Sequence, residues 1–75
     1  MIGQNWKSRF IEKYQGTIRE RAIVRAKARI ALSGRKVQDL SEDEREIIVK
    51  EEEDAVKDSI LKSGLFAAMI YLGLA

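Results

Sequence analysis

The chain has 75 residues, with 14 Lys and Arg against 12 Asp and Glu for a net charge of +2, and it contains no cysteine, histidine or proline. That length leaves room for a single domain, residues 1–75, near the lower size limit for an independent hydrophobic core. Without cysteine or histidine there are no disulfides, no thiolate or imidazole metal ligands and no imidazole general base, so no catalytic residue, metal or cofactor is expected.

The chain opens Met1-Ile2-Gly3-Gln4-Asn5-Trp6, which has neither the basic start nor the apolar stretch of a secretory leader. Together with the missing cysteines, this points to a reducing, cytoplasmic setting. The first predicted helix covers about 5–15, where Trp6, Phe10 and Tyr14 recur every four residues with Ile11 beside them. Gly16 follows as a candidate stop, and Thr17-Ile18-Arg19-Glu20 has the form of a capping box. These signals favour a break at Gly16; the alternative is one long helix to Leu32.

The second predicted helix covers 17–32. Ile18, Ala22, Ala26 and Ile30 form its apolar track, flanked by Ile23, and the small alanines allow another helix to approach closely. Arg21, Arg25 and Arg29 form a parallel track, widened by Lys27. Ser33-Gly34 closes the helix, and Arg35 to Leu40 is a connector.

Ser41-Glu42-Asp43-Glu44 is a second capping box, with acids in the first turn where the helix dipole favours them. The third predicted helix runs over 42–62, with Ile47, Ile48, Val49, Ala55, Val56, Ile60 and Leu61 as its apolar members. Glu51-Glu52-Glu53-Asp54 interrupts them; four successive carboxylates point around a helix and read as a solvated face, not a cation site. Glu46–Lys50, Glu53–Lys57 and Asp58–Lys62 are spaced for i,i+4 pairing, and Lys62 and Gly64 signal a stop.

The fourth predicted helix, 65–74, has no charged residue and is apolar all round. Such a helix has to be buried, so it is expected at the centre of the bundle. Leu65, Phe66, Met69, Ile70 and Leu72 are accordingly the candidate residues for core or self-association. At this length it cannot span a bilayer, and it lacks the cations of an interfacial helix.

The expected architecture is therefore an all-α compact bundle of three or four helices, with short connections and antiparallel neighbours. Charge is divided along it. Residues 1–36 hold ten cations and two anions, a balance of +8, while residues 37–75 hold four and ten, a balance of −6. Three readings of function follow. The leading one is a non-enzymatic interaction module that binds itself or another protein. The second is a nucleic-acid-binding protein, or one that docks an acidic partner, using the basic helix around residues 19–36 through Arg21, Arg25, Lys27, Arg29 and Arg35; against it stand a solvated helix face or pairing of those arginines with the acidic third helix. The third is peripheral membrane association through the apolar C-terminal segment.

Overall fold

A computed structural model describes residues 2–74, with side chains from Trp6 onward. Four α-helices are present among these residues: α1 (Ile2–Lys13), α2 (Gln15–Leu32), α3 (Glu42–Lys62) and α4 (Leu65–Tyr71). A single 3-10 turn, Val37–Asp39, lies in the connector between α2 and α3. The chain is all-α, as its composition and periodicity predict.

Local chemistry accounts for the boundaries. At the start of α3, the Glu44 amide donates to Ser41 Oγ at 3.1 Å and the Ser41 amide donates to Glu44 Oε1 at 3.0 Å, which completes the expected capping box. At the end of α2, Gly34 takes a left-handed φ of +80°. The Gly34 amide bonds the Ala31 carbonyl at 3.0 Å and the Arg35 amide bonds the Ile30 carbonyl at 3.2 Å, the paired bonds of a Schellman stop. Gly73, at φ +75°, repeats the motif after α4, where the Leu74 amide reaches the Met69 carbonyl at 2.8 Å. That stop shortens α4 to seven residues.

The break between α1 and α2 falls at Tyr14, not at Gly16. Tyr14 sits at φ −107°, ψ 27°, and no side chain caps α2. Thr17 and Glu20 therefore lie inside the helix and form no capping box. Hydrogen bonding runs across the junction: the Tyr14 amide donates to Phe10 at 3.0 Å and the Ile18 amide donates to Tyr14 at 2.8 Å. The junction is a bend held by aromatic packing. Phe10 and Tyr14 have ring centroids 4.8 Å apart, and Trp6 meets Phe10 edge-on at 5.8 Å.

Helices α2 and α3 run antiparallel. Arg35 pairs with Glu44 near the connector, and Arg19 pairs with Glu53 further along. Their seam is closed by buried Ile18, Ala22, Ala26 and Ile30 on α2 and by Val56 and Ile60 on α3. The core cluster joins Phe10, Ile18, Val56, Ile60, Ala68 and Leu72, with Trp6, Ile11, Tyr14, Met69 and Tyr71 packed against it. It therefore draws on all four helices at one end of the molecule. Beyond it, towards the connector, α2 and α3 continue as a two-helix hairpin closed by Leu40. The result is elongated, 47 × 21 × 17 Å.

The expected central position of the C-terminal helix is corrected by this arrangement. Only Ala68 of α4, with Leu72 just beyond it, is buried. The physical reason lies in the α2–α3 seam. The alanines bring those two helices directly together, leaving no central channel for α4. A helix of seven residues then packs on one side of the pair and leaves its own far side in solvent.

Candidate functional site

The basic residues read either as an outward contact or as partners of the acidic third helix are largely engaged within the chain. Arg25 Nε donates to Glu52 Oε1 at 2.8 Å. Arg29 Nη1 donates to Glu51 Oε1 at 2.8 Å and to Glu52 Oε2 at 3.3 Å. Arg35 approaches Glu44 at 3.9 Å. On the other flank of the seam, Arg19 donates to Glu53 at 3.0 Å and to both carboxylate oxygens of Glu46 at 3.1 and 3.2 Å.

These pairs bracket the apolar seam on both sides. Glu52 is held below the ordinary glutamate range, chiefly by its hydrogen bond from Arg25, with Arg29 adding to it. Glu44 is also lowered, first by the Ser41 amide and then by the Ser41 hydroxyl. The pairs lie at the surface, where each adds little to stability but opposite charges fix which faces meet. Glu51-Glu52-Glu53-Asp54 is thus not simply a solvated face, since three of its four carboxylates hold α2. Of the predicted i,i+4 pairs on α3, Asp58–Lys62 forms at 2.9 Å, while Glu46 and Glu53 turn to Arg19.

Two of the predicted contact residues behave differently. Arg21 lies over the Tyr71 ring, with its guanidinium carbon 6.0 Å from the centroid. Lys27 is exposed and borders a shallow apolar depression with Ile23, Val37, Arg45 and Val49. Among the described residues, no group of three or more acidic side chains gathers to hold a metal ion.

The predicted C-terminal residues split between two faces of α4. Leu72 is buried and Met69 is half-buried against the core. Phe66 is 72% exposed, Ile70 53% and Leu65 48%. Leu61, at the end of α3, is also exposed. Phe66 and Ile70 are one helical turn apart, so their side chains adjoin. Leu61, Leu65, Phe66 and Ile70 carry no charge between them. Single exposed apolar residues are ordinary, but two large ones that adjoin on one helix face, as Phe66 and Ile70 do, are of the kind that marks an interaction site.

Tyr71 is the participant that sequence reasoning missed. Tyr71 accepts a hydrogen bond from Arg25 Nη1 at 3.0 Å and so pins the end of α4 to α2. A tyrosine in an otherwise wholly apolar helix is the available signal, because a buried or half-buried hydroxyl needs a partner. Arg19 belongs to the basic stretch around residues 19–36, but it lies off the four-residue track, and its partners, 27 and 34 positions away, could not be read from spacing.

No protein-family model, curated protein or solved structure matches this chain. Its functional reading therefore rests on its own residues.

Proposed function

We propose that the chain is a non-enzymatic helical interaction module whose working surface is the outer face of α4, formed by Phe66 and Ile70 with Leu65 beside them. The observation that carries this reading is Phe66, 72% exposed in a segment with no charged residue. An exposed phenylalanine flanked by isoleucine and leucine gains free energy when a protein surface covers it.

The competing surfaces are less suited. Arg25, Arg29 and Arg35, which a nucleic-acid footprint would use, already hold carboxylates at 2.8–3.9 Å. Phosphate binding would have to displace those carboxylates. No helix among the described residues is long and apolar enough to cross a membrane. Residues 65–75 carry no cation of the kind that holds an interfacial helix at anionic lipid.

Site-specific photo-crosslinking tests the proposal. Phe66 is replaced by photoreactive benzoylphenylalanine, and Lys50, on the exposed face of α3, is replaced in a control. Irradiation in cells is expected to give a protein adduct of one defined mass from position 66 and none from position 50. A lipid or nucleic-acid adduct, or no adduct, overturns the reading.

A further inference from the structure

We infer that the depression beside Lys27 and Arg45, between α2 and α3, is a second binding site, which takes one large apolar side chain from an acidic segment of another protein. Ile23 and Lys27 follow Arg19 at four-residue intervals, so the depression lies on the flank of the seam that Arg19 occupies. Val37 of the connector helps to line it, and no residue of α4 does.

The floor of the depression is apolar. Ala26 and Ile30 are buried there, and Ile23, Val37 and Val49 are half-buried. The space is about 130 Å³, well short of the roughly 300–1,000 Å³ of a small-molecule or cofactor site. It is closer to the roughly 150 Å³ cavity that accepts a single benzene ring, and so suits one leucine or phenylalanine side chain.

The wall sets the charge of the partner. Its two charged side chains, Lys27 and Arg45, are both cations and both exposed. Along the seam, Arg19, Arg25, Arg29 and Arg35 each hold a carboxylate of α3. Among the described residues, Lys27 and Arg45 form no ion pair. Glu46 and Glu53, on the same flank, are held by Arg19, and Glu42, a turn earlier on α3, is not on the wall.

Three other depressions lack this combination. Glu52 lies with Arg25 and Arg29 in one, and Glu20 lies with Arg21 in another. In the third the cations are Arg29 and Arg35, which already hold α3 carboxylates. At Lys27 and Arg45 alone among these four, unpaired cations flank an apolar floor. A segment that sets a leucine on the floor and a carboxylate on either side gains apolar burial and two ion pairs together. A phosphate backbone would gain the pairs and leave the floor empty.

Amide chemical-shift mapping on the isotope-labelled full chain tests this. The probe is an alanine-rich helical peptide with one leucine and a glutamate one turn away on each side. Saturable shifts are expected at Ile23, Lys27, Val37, Arg45 and Val49. One anchor and two exposed pairs should give a dissociation constant on the order of 1 mM, weakening as salt is raised. Lys27→Glu and Arg45→Glu should each weaken binding by about tenfold, because an attraction becomes a repulsion. Both positions are exposed, and circular dichroism identifies the folded variants.

The absence of saturable shifts overturns the inference. So does equal binding of a peptide with alanine for the leucine or lysines for the glutamates, or undiminished binding by a folded variant. Oligothymidylate or phosphatidylserine vesicles that shift these amides when the peptide does not would also overturn it. Peptide shifts confined to Phe66 and Ile70 overturn it while agreeing with the reading of α4.

Discussion

The Arg25 guanidinium donates to the Tyr71 hydroxyl at 3.0 Å, which ties the last residue of α4 to the middle of α2. The same guanidinium holds Glu52 of α3 at 2.8 Å, so one side chain joins three helices. Arg21 lies over the face of the same tyrosine ring. Tyr71→Phe keeps the ring but loses the acceptor. The expected cost is below about 1 kcal/mol, because the bond lies at the surface. Amide exchange should rise in α4 while α2 and α3 stay protected; equal loosening of all three would show that Tyr71 does not fasten α4 in particular.

The close approach of α2 and α3 depends on small side chains. Ala22 is fully buried and Ala26 is 2% exposed. Ala22→Leu forces the helices apart and should cost about 1–3 kcal/mol. Ile60→Ala, at a fully buried position, should cost about 2–5 kcal/mol through lost burial and the cavity it leaves. Urea denaturation followed by circular dichroism measures both. The two changes act on the same seam in opposite directions of volume, so a tolerated Ala22→Leu would mean the seam is looser than its geometry implies.

Glu52 predicts the acid behaviour. Its carboxyl in the folded chain lies below the value it takes unfolded, about 4.3 for an ordinary glutamate. A group lowered in this way stabilises the fold fully above its unfolded value, and that contribution is lost as pH falls through the folded value. Glu44 acts in the same direction. Stability should therefore hold from neutral pH down to about 5 and decline below that. Glu52→Gln should flatten the decline, a comparison that urea titrations at a series of pH values would make.

The arginine track yields a prediction about folding as well as binding. Arg29→Glu places a third carboxylate beside Glu51 and Glu52, both of which it now holds. Lys27→Glu changes the charge by the same amount at an exposed position outside the ion pairs. Melting should fall clearly for Arg29→Glu and much less for Lys27→Glu. Equal melting temperatures would mean that the acidic helix contributes nothing to holding α2.

Removal of residues 65–75 tests what α4 contributes to the fold. It takes Ala68, Met69, Tyr71 and Leu72 from the core cluster and uncovers Phe10, Ile18, Val56 and Ile60. In a chain this small that loss should abolish cooperative unfolding. A truncated chain with unchanged helicity and melting would show that α1, α2 and α3 suffice.

Much of the fold was legible because its determinants are local. The Ser41–Glu44 capping box, the left-handed Gly34 and the bounds of α3 follow from interactions spanning a few residues. The track Ile18, Ala22, Ala26 and Ile30 was visible as a four-residue spacing, and all four are buried. The junction at Tyr14 was read two residues late. Gly16 looked like a stop, but neither a left-handed turn nor a side-chain cap forms there, and packing of Phe10 and Tyr14 places the bend instead.

The sequence by itself determined that the chain is helical, where most helices stop, and that charge is divided between a basic half and an acidic half. It could not determine which carboxylates Arg19, Arg25 and Arg29 find, because those partners lie 22 to 34 residues away and no periodicity links them. Nor could it place α4. A helix that is apolar all round states only that burial is favourable, not how much its neighbours can supply. The alanine seam brings α2 and α3 together and leaves α4 one face to bury, so Phe66 and Ile70 stand in solvent for a tertiary reason.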